Sequence, residues 1–128
     1  MNSVLVDTSV WVSHFKSANA QLVNLLSNDL VLTHPFVLGE IDCGTPPKRI
    51  QLLQSLRELE STNIATPDEV LRFIDQHVLY GKGCGLVDVS LLASVKITAG
   101  AVLWTLDQRL ARLAKQCGVE YTATLPVH

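Results

Sequence analysis

Ser3-Val4-Leu5-Val6-Asp7-Thr8-Ser9-Val10-Trp11 is the stretch from which the rest of the chain is read. A short all-apolar run such as Val4-Leu5-Val6 fits a strand in the middle of a parallel sheet, buried on both faces. Asp7 then stands at the carboxyl end of that strand, beside which open parallel sheets bind their ligands. A plainer account is also available, because Asp, Thr and Ser are favoured helix N-caps and any of the three could simply start the next helix. The choice depends on whether other carboxylates arrive at the same place.

Working outward, Trp11 and Phe15 are spaced i, i+4 with Val12 beside them, which predicts a helix to about Lys16. Ser17-Ala18-Asn19 reads as a turn, and Leu22, Val23, Leu25 and Leu26 as a second helix closing near Asp29. Leu30 to Thr33 is a second short strand. Pro35 suits the first turn of a helix reaching toward Cys43. On that helix Phe36, Val37, Glu40 and Ile41 share one face, which puts a carboxylate on the apolar stripe, although a Glu at the stripe edge leaning into solvent is common. Thr45-Pro46-Pro47 breaks the pattern, and Ile50, Leu52, Leu53, Leu56 and Leu59 mark the next helix.

Thr66-Pro67-Asp68-Glu69 is a strong helix start, with Val70, Phe73, Ile74 and Val78 as its buried side. Gly81-Lys82-Gly83-Cys84-Gly85 makes a tight loop, without the order of a phosphate-binding Walker loop. Leu86 then opens a helix through Ala99 on which Asp88, Leu91, Leu92 and Val95 form a stripe. Asp88 is thus a third inward carboxylate, with an N-cap as the competing reading. Gly100 closes the helix, Ala101 to Thr105 is an apolar strand, and Asp107 starts a helix to Gln116. The strand, Thr, Asp, helix order of the opening stretch is repeated. Val119 to Thr122 is expected as a final edge strand, followed by a short tail.

At 128 residues with 48% hydrophobic and 17% charged residues, the chain is expected to be one folded domain, residues 1–128, rather than disordered. It contains no apolar run near the ~20 residues that cross a bilayer. Asp7 interrupts the first apolar stretch, and no basic leader or small-residue cleavage site accompanies it, so a cytoplasmic location is expected. Cys43, Cys84 and Cys117 are odd in number and widely spaced, which argues against a disulfide framework or a zinc site. His14, His34, His77 and His128 show no zinc-ligand spacing either. The formal net charge of −2 offers no broad basic surface for nucleic acid. Lys48, Arg49 and Arg57 read as a solvated face. Two bound divalent cations would nevertheless turn −2 into roughly +2, so the bare charge decides little.

Alternating strands and helices predict a three-layer α/β/α sandwich with a mainly parallel sheet. In it Asp7 and Asp107 lie at strand ends, while Glu40 and Asp88 come from first turns of helices, so all four can reach one cleft. Four anions in one partly buried pocket repel each other unless protons or cations intervene. Hard, oxygen-preferring Mg²⁺ or Mn²⁺ suits such a set.

Val6-Asp7-Thr8-Ser9-Val10-Trp11, Glu40 early in a helix, Gly85-Leu86-Val87-Asp88 leading into Leu91-Leu92-Ala93-Ser94, and Leu103-Trp104-Thr105-Leu106-Asp107 together resemble the PIN-domain ribonucleases, most closely the VapC-type toxins of bacterial toxin–antitoxin systems. The resemblance covers nearly the whole chain. It implies that Asp7, Glu40 and Asp88 hold Mg²⁺ or Mn²⁺ and that Asp107 completes the quartet, with Thr105, Thr8 and Ser9 in support. It further implies an endoribonuclease acting on selected RNAs, often transfer or ribosomal RNA, a VapB-type antitoxin and a homodimer, with no membrane association. Lys82, in the glycine-rich loop, is a candidate substrate contact. The chain departs from the more basic toxins in its mild acidity. A phosphoacceptor receiver domain would want an acidic pair after the first strand, where Thr8 follows Asp7, and a haloacid-dehalogenase-like phosphatase would want a second Asp where Ser9 stands. The remaining alternative is a catalytically silent PIN-like scaffold that binds RNA or a partner protein.

Overall fold

The computed structural model describes residues 2–123, so the tail and His128 lie outside the described residues. Four strands form one parallel sheet in the order β3-β2-β1-β4: β1 (Ser3–Val6), β2 (Val31–Thr33), β3 (Glu60–Ser61) and β4 (Ala101–Trp104). Among the described residues seven helices accompany them: α1 (Thr8–Lys16), α2 (Ala20–Ser27), α3 (Pro35–Asp42), α4 (Arg49–Arg57), α5 (Pro67–Gln76), α6 (Leu86–Lys96) and α7 (Gln108–Gln116). β1 is central, with Val4 opposite Val31 on one side and Val6 opposite Trp104 on the other. Successive strand residues point to opposite faces. Val4, Leu5 and Val6 are each no more than 1% exposed, so both faces of the sheet are covered and the architecture is the expected α/β sandwich.

Local chemistry explains most boundaries. Thr66 and Glu69 form a reciprocal capping box at the start of α5. Asn19 caps α2 through the amide of Leu22, and the rings of Trp11 and Phe15 stack on α1 with centroids 6.1 Å apart. Residues 89 to 95 of α6 are all buried, so this helix is covered around its circumference, its two buried serines included, rather than along the single predicted stripe.

Several expectations are corrected. α6 ends at Lys96 and not Ala99, and Gly100, at φ +73°, makes the turn into β4. β4 ends at Trp104, one residue short of Thr105. The expected strand Val119–Thr122 reduces to a single parallel bridge between Leu103 and Glu120, while β3, two exposed residues long, was not expected. Ile50 is 71% exposed, and Val78 lies beyond α5 at φ +53° and is 49% exposed. Among the predicted solvated charges, Arg49 pairs with Asp42. The three cysteines are free. No helix among the described residues is long and apolar enough to cross a membrane.

One buried polar group ties the layers together. His34, 1% exposed, caps α3 by accepting the Phe36 amide on Nδ1 at 3.0 Å. Nδ1 is therefore unprotonated, and Nε2 carries the hydrogen that it shares with Ser94 Oγ at 3.1 Å. Ser94 in turn donates to the Ser90 carbonyl and accepts from the Ala65 amide. Burial holds the His34 pKa below its ordinary value. The unfolded chain therefore binds the extra proton first, and stability is lost as the pH falls below the unfolded value of about 6.5. Melting curves at a series of pH values should show this loss, with a slope of at most about 1.4 kcal/mol per pH unit from one proton. His34→Asn keeps a capping acceptor and should flatten the slope in that window; an unchanged slope would refute the assignment.

Candidate functional site

Asp7 is the residue after β1, and its backbone already belongs to two elements. Its amide continues the sheet by donating to the Trp104 carbonyl, and its carbonyl accepts from Val10 and Trp11 to start α1. It occupies the N-cap position, yet its side chain makes no capping bond. Asp7 Oδ2 instead receives two hydroxyl hydrogens, from Ser9 Oγ at 2.7 Å and Thr105 Oγ1 at 2.8 Å. Those hydroxyls are themselves oriented by backbone amides, Ser9 by Leu106 and Thr105 by Asp107, each at 3.0 Å. With each single hydroxyl hydrogen spent on Asp7, the 3.3 Å separation of Ser9 and Thr105 is an approach of two oxygens. Asp7 is 6% exposed. Oδ1 has no donor among the described residues.

The other carboxylates arrive differently. Asp88 lies in the first turn of α6, whose N-cap is Gly85, so the capping account fails for it. Glu40 is in the second turn of α3, not the first as expected, and is exposed rather than part of the buried face formed by Val37 and Ile41. Its Oε1 accepts the Thr8 hydroxyl at 2.7 Å, joining α3 to the start of α1. Asp107 is a true N-cap: Oδ1 accepts the amides of Arg109 and Leu110 at 2.9 and 3.3 Å. Lys82 is exposed, and no ion pair among the described residues joins it to the carboxylates.

Asp7, Glu40 and Asp107 are all within electrostatic reach of Asp88. Partial burial pushes the Asp88 carboxyl above its ordinary pKa, and the negative charges of Asp7, Asp107 and Glu40 push it further in the same direction. The donors are all oxygens, the set that hard divalent cations take. Among the described residues no three His, Cys, Asp or Glu side chains are grouped closely enough to hold a metal ion directly. That arrangement still fits Mg²⁺, which keeps several waters and is usually bound by one or two carboxylates.

Two side chains that sequence reasoning did not attach to the site also border it. Cys84 feels both Asp88 and Asp107, and its thiol pKa is raised chiefly by burial and then by those charges. Arg109, two residues past Asp107, reaches the same loop. Beside Glu40 an apolar cavity of about 390 Å³ opens, lined by Val12, Phe15, Ile41, Pro46 and Pro47 among others.

Comparison with known proteins shows the family. Residues 4–116 match the PIN domain family. Two strains of Mycobacterium tuberculosis, CDC 1551 / Oshkosh and H37Rv, have a relative named Ribonuclease VapC32 that is 43% identical over 116 residues, covering 91% of this chain and 94% of the relative. The crystal structure of PAE2754 from Pyrobaculum aerophilum shares the fold, with a TM-score of 0.57 at 18% identity over 87% of this chain and 78% of that one.

The repulsion has a thermodynamic consequence. Asp88 has a folded pKa above its unfolded one, so its ionisation works against the fold as the pH rises through the interval between the two. In EDTA at neutral pH, Asp88→Asn should therefore melt a few degrees above the parent protein, since one carboxylate's repulsion with three others is removed. A variant that melts at or below the parent temperature would contradict the electrostatic account.

Proposed function

Since the chain belongs to the PIN-domain family, we propose that it is a divalent-metal-dependent endoribonuclease, a VapC-type toxin restrained by a VapB-type antitoxin. The observation that carries this reading is the approach of Asp7, Glu40 and Asp107 to Asp88, whose carboxyl their charges push upward, around an Asp7 whose side chain is withheld from helix capping. Such a cluster destabilises the fold, and its retention is accounted for by a cation and a phosphodiester.

In this reading Asp7 and Asp88 would hold Mg²⁺ or Mn²⁺, with Glu40 and Asp107 contributing through water. When bound, the ion supplies Lewis-acid activation of water and positive charge beside the phosphoryl oxygens. The chain's own residues position it. Ser9 and Thr105 fix the rotamer of Asp7 by their two hydrogen bonds, and Thr8 holds Glu40 toward the start of α1. Asp107 has one oxygen committed to the α7 amides, as Asp7 has one committed to two hydroxyls; what separates them is that Asp7 is buried and Asp107 exposed. No His or Ser nucleophile is needed.

The substrate class is RNA, with transfer and ribosomal RNA as the first candidates, and the site of action is the cytoplasm. The apolar cavity beside Glu40 is the proposed seat for the antitoxin, and a homodimer is the proposed assembly. A second reading, a silent scaffold that binds RNA or protein without cutting, draws on one observation, the lack of a preformed three-ligand group among the described residues.

Incubation of the purified protein with total cellular RNA, with Mg²⁺ or Mn²⁺ and with EDTA, tests the two readings against each other. Cleavage that EDTA abolishes is the expected result; binding without cleavage favours the scaffold, and cleavage in EDTA excludes the mechanism. Among variants, Asp7→Asn should lose most metal affinity and single-turnover activity, Asp107→Asn less, and Thr105→Val only about two- to tenfold, the worth of one supporting hydrogen bond. Near-normal activity in Asp7→Asn beside a dead Asp107→Asn would reverse the ranking.

A further inference from the structure

The mild acidity of the whole chain conceals a local excess of the opposite sign. α7 carries Arg109, Arg112 and Lys115 and no carboxylate between Gln108 and Gln116. All three cations are exposed, on the side of the helix away from buried Leu110, Leu113 and Ala114. Arg109 and Arg112 are one helical turn apart, about 5–6 Å at Cβ.

The amino-terminal end of this strip is seated on the glycine loop beside the carboxylates. Gly83 has φ +83°, a conformation that suits glycine, and a Cβ placed there would stand 3.0 Å from Arg109 Cδ. The loop backbone thus approaches the arginine stem as closely as a glycine permits. Arg109 Nη1 donates to the Gly83 carbonyl at 3.4 Å, a long bond that leaves most of the guanidinium's five donors unspent. Cys84, next in the loop, is within electrostatic range of Asp88 and Asp107 and also of Arg109 and Arg112. Both guanidiniums are thus within reach of the loop that leads into the acidic cluster. Neither forms an ion pair within it: among the described residues the pair recorded is Arg49 with Asp42. Asp107, the nearest carboxylate in sequence, has already turned Oδ1 to the α7 amides.

We propose that Arg109, seated on Gly83 and followed by Arg112, receives the RNA phosphate that adjoins the one being cut. The inference rests on the ribonuclease reading of the carboxylate cluster and assigns a direction to the substrate: the RNA backbone leaves the acidic cleft along α7. A guanidinium fork suits a phosphate because it can donate two parallel bonds. The carboxylates and the strip divide the work, since the former take up the cation and the latter takes up the anion that the carboxylates would otherwise repel.

Binding is measured on the Asp7→Asn protein in Mg²⁺, so that a short labelled single-stranded RNA of mixed sequence is not turned over; kinetics are measured on the parent background. Arg109→Ala should raise Kd about tenfold, the scale of a charge-assisted hydrogen bond, and should reduce the slope of log Kd against log salt by about 0.7, one phosphate's worth. In kinetics KM should rise more than kcat falls. Arg109→Lys should retain the salt slope. Arg109→Gln keeps much of the stem that packs on Gly83 while removing the charge, so it reads the same loss if Arg109→Ala fails to fold. Unchanged Kd and salt slope in the uncharged variants overturn the inference, even where cleavage slows, because Arg109 would then only hold the loop. RNA left uncut by the parent protein in either metal overturns the ribonuclease reading instead, and the binding measurements still decide the role of Arg109.

Discussion

Two hydroxyl hydrogens meeting on a single oxygen of Asp7 are the constraint around which this molecule is arranged. A carboxylate that is almost wholly buried must find donors or leave the core. The donors come from Ser9, at the start of α1, and Thr105, just beyond β4, so the bond pair clamps the ends of central β1 and its neighbour β4. The amides of Leu106 and Asp107 then fix the hydroxyls in turn. Every other feature of the cleft is positioned relative to that clamp: α1 brings Thr8 to Glu40, and the turn after Thr105 delivers Asp107 to the head of α7.

Around the clamp the protein sets unlike demands side by side. The hydrophobic sheet and the buried α6 stabilise the fold, whereas the carboxylates at the strand ends oppose it. The repulsion is tolerated because it is confined to one edge of the molecule and because only Asp7 among the four is deeply buried. Asp107 illustrates how a single side chain can serve both sides of this balance, capping α7 with one oxygen while adding its charge to the cluster.

Elements with strong local signals were legible in the sequence. The apolar run of β1, the capping box before α5 and the strand, Thr, Asp, helix repeat at β4 each carried their own physical reason. β3 was not, since Glu60 and Ser61 are exposed and two residues have no periodicity to read. Ile50 and Val78 misled because an apolar side chain reveals hydrophobicity and not which neighbour covers it. At the candidate site, Asp7 and Asp88 were visible from their places at a strand end and a helix start. Glu40 was found from an apolar stripe that does not bury it; what joins it to the cluster is Thr8, 32 positions away. The approach of Arg109 to Gly83 had no sequence signal at all, because it depends on how a loop and a helix meet after the sheet has formed.

The clamp on Asp7 joins residues 98 positions apart, and this separation orders events while the chain is being made. A nascent chain synthesised only through α6 already contains Asp7, Glu40 and Asp88, yet it lacks Thr105 and has no β4 beside β1. Its central strand has an open edge, and Asp7 has one of its two hydroxyl partners missing. Long-range closure of this kind is slow and comes late, after the loop entropy has been met by the full set of contacts. The parallel sheet thus acts as a timing device: Asp7, Glu40 and Asp88 are synthesised before the strand whose pairing with β1 completes the clamp and brings Asp107 to them.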